Sequence, residues 1–153
     1  MKTESKTNSQ RQDWMKVLAL SNARELLGHW CDLELDPDCT LLRGPETGLI
    51  ALRGRMGGGG APFNFGEATV TRATVRLDET GAVGHAVMLG RNQTKAKLAA
   101  ILDALAQDET QRDRIEKLVI APLKAKQAAR DEVRAQETAA TKVDFFTLVR
   151  GDD

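Results

Sequence analysis

The chain has 153 residues, of which 41% are hydrophobic and 29% charged, and equal numbers of basic and acidic side chains give a formal net charge of zero. A chain of this length has room for one domain, which buries roughly 70% of the surface of the unfolded chain. Zero net charge excludes nucleic acid and acidic membranes as partners of the whole protein, because no overall field attracts a polyanion. The sequence shows neither a signal peptide nor an apolar run long enough to span a membrane, so we expect a cytoplasmic protein.

The N-terminal part of the chain changes from polar to amphipathic. Residues 1–10 are polar and are predicted to form a flexible tail, which leaves 11–153 as a single domain. Apolar side chains then recur at helical spacing, first over about 12–20 and again over about 23–31. This spacing predicts a bent pair of helices.

Three side chains of this helical pair have assigned roles. Asn22 and Glu25 have the spacing of a capping box, in which each side chain accepts a hydrogen bond from an unpaired backbone N–H at the helix start. Trp14 lies on the first apolar stripe and is predicted to anchor the core or an interface.

The middle of the chain has the composition of β-strands. The stretch "CTLLRGPETGLIALRGR" contains two β-type runs separated by residues 44–48, whose proline and glycines predict a hairpin turn. Further strands are predicted over 67–78, where β-branched residues dominate, and over 82–90, which follows a turn. Together these runs predict a meander of about four strands.

Helical spacing returns after Asn92, which is predicted to cap a helix. Two further helices are predicted over about 111–120 and 122–139, with Pro122 in the first turn of the last one. The terminal string "VDFFTLVRGDD" either returns to the sheet as a strand or docks on another chain, and its predicted interface residues are Phe145, Phe146 and Leu148. The complete pattern predicts an α+β fold, with an antiparallel sheet of about four to five strands, an N-terminal helical pair and C-terminal helices.

The stretch "RMGGGG", residues 55–60, lies between two predicted strands. The dinucleotide and Walker loops place phosphate at a helix N-terminus, so neither motif applies here. Exposed amides of such a loop form an anion nest, and guanidinium groups suit the same ligand. The predicted anion-binding group is Arg53, Arg55, Arg72, Gly57, Gly58, Gly59 and Gly60. The alternatives are a flexible connector with solvated arginines, or arginines that pair with carboxylates.

Few side chains of this sequence suit catalysis or metal binding. His29 and His85 are the only histidines, and Cys31 and Cys39 form no CxxC pair, so we predict no catalytic residue, no metal site and two free thiols. Glu67 follows the glycine loop and is a possible base or ligand, although a structural turn carboxylate is the alternative.

Several long strings resemble the PhnG subunit family of the bacterial carbon-phosphorus lyase system, which uses phosphonates. They are "RQDWMKVLA", "PETGLIALRGRMGG", "FGEATVTRATVRL", "GHAVMLGR", "AILDAL", "LVIAPL" and "KVDFFTLVRGDD". The resemblance runs nearly end to end. It differs from the family pattern at Asn92, where an aspartate is common, and at His85, where an aromatic residue is common; these differences count against a catalytic carboxylate or base there.

The resemblance implies a subunit of a core complex with PhnH, PhnI and PhnJ, joined by PhnK and PhnL. With PhnH, PhnI and PhnL, the family takes part in forming α-D-ribose 1-alkylphosphonate 5-triphosphate from MgATP and an alkylphosphonate, with release of adenine. The resemblance implies no cofactor bound by this subunit alone, because the iron-sulfur cluster and S-adenosylmethionine belong to PhnJ. It also implies no independent activity.

Two hypotheses follow for the arginines and glycines of the middle segment. In the first, Arg53, Arg55, Arg72 and Arg91, with the glycine amides, hold the anionic groups of a substrate in an active site shared with a partner. In the second, the chain is a purely structural assembly subunit whose arginines pair with a partner's carboxylates.

Overall fold

The computed structural model describes residues 2–57 and 59–142, with side chains from residue 8 onward. Two helices are followed by three strands and then by further helices, as expected for an α+β fold. The elements are α1 Lys2–Leu20, α2 Ala23–Asp32, β1 Cys39–Gly54, β2 Phe63–Leu77, β3 Val83–Leu89, α3 Gln93–Leu105, α4 Glu109–Ile115, a π-helical turn Glu116–Ile120, and α5 Ala121–Ala140.

The described residues form one antiparallel sheet of three strands in the order β1-β2-β3. The predicted count of four to five strands is wrong for these residues, because the two runs on either side of residues 44–48 form one continuous strand. Gly44 has a positive φ of 64°, and the register with β2 shifts between Arg43 and Glu46. The glycine and proline therefore produce a β-bulge in an edge strand, where proline is tolerated, rather than a reversal of the chain.

The helices differ from the sequence-based prediction mainly in length. Helix α1 begins at Lys2, so residues 2–10 are helical although their polar composition predicted a tail. At the other end, α4, the π-helical turn and α5 follow one another without an intervening loop. Pro122 cannot donate a backbone hydrogen bond, and the π-helical turn ends two residues before it. Pro122 therefore lies in the first turn of α5, as predicted, and α5 follows the π-helical turn directly.

One hydrophobic core lies between the sheet and the helices. Helix α3 packs across β2 and β3, and α1 packs on α3 and β3. Alternation along β2 directs Ala73 and Val75 into this core and Arg72 and Arg76 to the opposite, open face. The sheet thus has one covered face and one face turned to solvent.

Gly84 allows α3 to approach β3 closely. A Cβ atom built on Gly84 would collide with the backbone oxygen of Ala100 and would lie 2.6 Å from the nitrogen of Ala104. Only a residue without a side chain therefore permits this contact between helix and strand.

Asp103 of α3 joins three elements through its buried carboxylate. It accepts two hydrogen bonds from the Arg11 guanidinium, at 2.8 and 2.7 Å, and one from the backbone N–H of His85 at 2.8 Å. The hydrogen bonds with Asp103 raise the pKa of Arg11 further above its ordinary value. This arrangement satisfies a buried charge in the manner that makes such charges tolerable.

The predicted helix caps are confirmed in part. Asn92 accepts a hydrogen bond from the Lys95 N–H at 2.8 Å, and Asn22 accepts one from the Arg24 N–H at 2.9 Å. Glu25 does not complete a capping box but binds Arg130 of α5 at 2.5 Å. A distant cation on α5 has taken the place of the local backbone N–H as its partner.

Candidate functional site

The hairpin of β1 and β2 projects beyond the rest of the sheet. Strand β3 pairs with β2 only from Val70 to Arg76, so residues 63–69 pair with β1 alone. We call residues 48–69 the β-arm. No described residue of the β-arm is buried. A two-stranded ribbon of this kind is only marginally stable in water by itself.

The tip of the β-arm carries two of the predicted anion-binding arginines. Arg53 pairs in register with Asn64 near the end of β1, and Arg55 begins the loop that follows. Both side chains are exposed, and neither joins an ion pair with a carboxylate of the described residues. Their full charge is therefore available to an anion that reaches the tip.

The third predicted arginine lies at the base of the hairpin and is already paired. Arg72 donates to a Glu46 oxygen at 2.6 Å, and Arg43 donates to the same oxygen at 2.8 Å. These hydrogen bonds, that from Arg43 first, hold the pKa of Glu46 below its ordinary value. One carboxylate thus serves two guanidinium groups, which leaves an excess of positive charge at the base.

The predicted arginines are distributed along the hairpin instead of converging. In the register of the hairpin, Arg72 lies opposite Glu46, and Arg53 lies opposite Asn64. Arg72 and Arg53 are therefore separated by seven positions along β1, or roughly 23 Å. Arg91 follows the end of β3, next to Gly90, whose N–H donates to Thr69. Of the predicted anion-binding arginines, only Arg53 and Arg55 lie beside the glycine loop.

The glycine loop forms a tight turn at the tip. Gly60 N–H donates to the Met56 oxygen, and Gly57 has a positive φ of 62°. A Cβ on Gly57 or Gly59 would meet no atom within 4 Å, so the space beside these backbones is open. Gly58 lies outside the described residues. Open backbone next to two arginines suits close approach of a ligand or a partner chain.

Glu67, the predicted base or ligand, is an exposed residue within β2. It faces Ala51 of β1 in register. Among the described residues, no group of three or more histidine, cysteine or acidic side chains is arranged to hold a metal ion. The structure thus shows Glu67 as an exposed carboxylate on a strand of the β-arm, and its role as a base or ligand stays a prediction.

Exposed apolar side chains also distinguish the β-arm, and the sequence analysis missed them as a site. Leu49, Met56 and Phe65 are 64%, 77% and 61% exposed. The rings of Phe63 and Phe65 meet edge to face with centroids 6.3 Å apart, and Phe65 lies against Gly54. In the sequence, Phe63 and Phe65 form the string "FNF" beside the glycine-rich loop. Two phenylalanines at this place are a signal of a site, because they do not fill the core of this fold.

The predicted interface residues are not part of the β-arm sequence. Trp14 was predicted to anchor either the core or an interface. It is 8% exposed and belongs to the hydrophobic core, so it offers no free surface to a partner. Phe145, Phe146 and Leu148 lie outside the described residues.

None of the helices in the described part of the chain is both long and apolar enough to cross a membrane.

Comparison with known proteins identifies the family. A family model described as "Phosphonate metabolism protein PhnG" matches residues 9–151. The chain belongs to the PhnG family. A curated relative in Rhizobium meliloti (strain 1021) is 50% identical over 145 residues, which cover 95% of this chain and 92% of the relative. That relative is named alpha-D-ribose 1-methylphosphonate 5-triphosphate synthase subunit PhnG. The β-arm, the glycine loop and α3 all fall within the range that matches the PhnG model.

Proposed function

We propose that the chain is a non-autonomous subunit of an α-D-ribose 1-methylphosphonate 5-triphosphate synthase, within the core complex of a carbon-phosphorus lyase system. The observation that carries the proposal is the identity of 50% over 95% of the chain with a relative named as a subunit of this synthase. The exposed apolar β-arm supports it, because a surface of this kind is typical of a chain that works inside an assembly.

In this proposal the complex operates in the cytoplasm and converts MgATP and an alkylphosphonate to the ribose 1-alkylphosphonate 5-triphosphate with release of adenine. The partners are PhnH, PhnI and PhnL for this step, with PhnJ and PhnK as further members of the core complex. This chain alone binds no cofactor and has no independent activity. The iron-sulfur cluster and S-adenosylmethionine belong to PhnJ.

The first test is light scattering after size exclusion on the chain expressed alone and with PhnH, PhnI and PhnJ of the same organism. A stable heteromeric peak that contains this chain is the expected result. A monomer that elutes separately from all three proteins would contradict the proposal and indicate an independent binding protein.

Within the complex, the tip of the β-arm is the part of this chain proposed to contact the substrate. Arg53 and Arg55 are exposed and unpaired by any described carboxylate, and the adjoining glycine backbone is open. Two guanidinium groups and open amides suit the triphosphate or the phosphonate, which are the anionic groups of this reaction.

Replacement of Arg55 tests this contact in the assembled complex. If Arg55 touches an oxyanion of the transition state, we expect Arg55→Ala to lower turnover by a factor on the order of 10²–10³ while the complex still assembles. Arg134→Ala, on the exposed part of α5, is the matched control and should leave turnover unchanged. Unchanged turnover with Arg55→Ala would remove the substrate contact.

The alternative is a purely structural assembly subunit with no contact to substrate. The pairing of Arg43 and Arg72 with one glutamate favours it in part, since arginines of this segment do pair with carboxylates. In this case Arg55→Ala reduces the yield of complex, and the complex that does form has normal turnover.

A further inference from the structure

We infer that the free edge of β1 in the β-arm is completed by an extended segment of another subunit that carries alternating apolar and acidic side chains. This inference rests on the proposed function, because it requires a second kind of chain in the assembly. It concerns how the chain is held, and the substrate contact at the tip is a separate question.

The first observation is the edge itself. Strand β1 has β2 on one side and no strand of the described residues on the other. Pro45 and the bulge limit the regular edge at one end, and a register shift between Leu52 and Arg53 limits it at the other. The intervening residues 47–52 form a regular edge about 20 Å long.

This edge lacks the features that normally prevent strand pairing. Natural edge strands are protected by lysines, prolines or bulges within the strand. Residues 47–52 read "TGLIAL" and contain no charged residue. Their unpaired backbone groups are a ready template for an added strand, and main-chain hydrogen bonds supply the affinity in this mode of recognition.

The second observation is that both faces of the β-arm carry exposed apolar side chains. Leu49 lies on the face that carries the core residues of β2 farther along, whereas Ile50 lies on the open face. Both side chains are exposed, as are Phe63 and Phe65 toward the tip. An added strand would cover the outer flank of this surface and remove it from water.

The third observation is charge, which identifies the chemistry of the occupant. Residues 43–77 contain five arginines and only two glutamates. One of these glutamates, Glu46, already serves Arg43 and Arg72. The unpaired Arg53 directly follows the tip end of the edge, so a segment with carboxylates that extends toward the tip is electrostatically complementary to this surface.

Charge substitutions on the β-arm test the inference in the complete complex. Leu49→Glu and Ile50→Glu each place a carboxylate on the edge strand where an apolar contact with an acidic strand is expected. We expect either change to reduce recovery of this chain with the other subunits by about tenfold or more, as for loss of a central contact. Val133→Glu on α5 is the matched control, because Val133 is also exposed and the charge change is the same.

Two measurements keep folding and function separate from the inference. Circular dichroism and the melting temperature of each variant alone should match those of the original chain. If the original chain does not join the complex, the proposed function fails. If it joins and both β-arm variants join equally well, only the inference is overturned.

Hydrogen exchange measured by mass spectrometry locates the added strand. Those amides of residues 47–52 that point away from β2, to the free edge, should exchange fast in the chain alone and about tenfold or more slowly in the complex. Protection of these amides in the chain alone, lost on truncation after Lys142, would assign the edge to the chain's own terminal segment and overturn the inference.

Discussion

Asp103 and Gly84 fix the same contact between α3 and β3 by different means. The Asp103 carboxylate accepts the backbone N–H of His85, and the neighbouring Gly84 lets the backbone of α3 approach. The hydrogen bond aligns the strand with the helix, and the missing side chain allows the short distance. A change in either residue affects the packing of two core elements.

We predict that Gly84→Ala strongly destabilises the fold. The new Cβ would collide with the backbone of α3, so the helix must move and its packing on β2 and β3 is lost. Overpacking of a core typically costs about 1–3 kcal/mol, and a clash with backbone lies at the upper end of that range. Urea unfolding followed by circular dichroism measures the loss.

Gly66→Ala is the matched control for this prediction. A Cβ on Gly66 meets no atom within 4 Å, although Gly66 also lies in a strand. Its free energy of unfolding should change by less than about 0.5 kcal/mol, as is usual for an exposed site. Equal losses in the two variants would show that the collision at Gly84 is not the cause.

Residue-scale signals allowed only part of the candidate site to be predicted. Arg53, Arg55 and the glycines were found because their side chains and spacing are visible in the sequence. The partnership of Arg43 and Arg72 through Glu46 was missed, since it depends on a bulge that brings residues 26 positions apart into contact. The local sequence "RGPE" does not indicate which strand will pair with it.

At the scale of elements, the sequence predicted types better than boundaries. Strand β3 was predicted close to its observed limits, and the start of α3 was predicted because apolar periodicity and the capping residue Asn92 agree there. The turn predicted at residues 44–48 was wrong because proline and glycine are compatible with a bulge as well as with a reversal. The pairing of β1 with β2 distinguishes a bulge from a reversal of the chain. That pairing depends on the whole hairpin and not on residues 44–48 alone.

Helix α5 also illustrates how composition relates to packing. Its sequence is rich in small and charged residues, and beyond Gln127, which donates to the Val17 oxygen, every described residue is exposed. Residues 128–140 are therefore a helical segment with no contact to the core of this chain. Only Leu123 in its first turn joins the core.

We predict that truncation after Arg130 leaves the body of the protein stable. The truncated chain retains Leu123, the Gln127 hydrogen bond and the Arg130 pair with Glu25. The free energy of unfolding should therefore change by less than about 1 kcal/mol, as measured by urea unfolding.

Leu123→Ala in the full chain provides the contrast, because truncation of a buried leucine typically costs about 2–5 kcal/mol. A loss of similar size in the truncated chain would show that the residues after Arg130 contribute to the core.

At the scale of the whole molecule, neutrality of charge affects behaviour in solution. The chain has a formal net charge of zero and an isoelectric point near 6.7. Proteins without net charge repel one another weakly, so exposed apolar surface is free to drive association. In this chain the exposed apolar side chains of the β-arm supply such a surface.

We predict that the isolated chain self-associates most strongly near pH 6.7 and that Leu49→Glu reduces this association. Dynamic light scattering across pH 6–9 measures the effect. Val133→Glu changes net charge equally but leaves the β-arm intact, so it should reduce association less. Equal reductions would attribute the association to net charge alone and not to the β-arm.

The Arg11–Asp103 pair has a consequence for the order in which the molecule folds during synthesis. The two residues are 92 positions apart, so α1 leaves the ribosome long before its partner on α3 exists. Helix α1 is polar over much of its length, and closing a loop of this size costs entropy before any contact rewards it. We therefore expect the sheet and α3 to form first and the first-made helix to be among the last elements to dock. Until then Trp14, Val17 and Leu18 remain exposed, and a nascent chain that stalls at this stage is open to capture by chaperones.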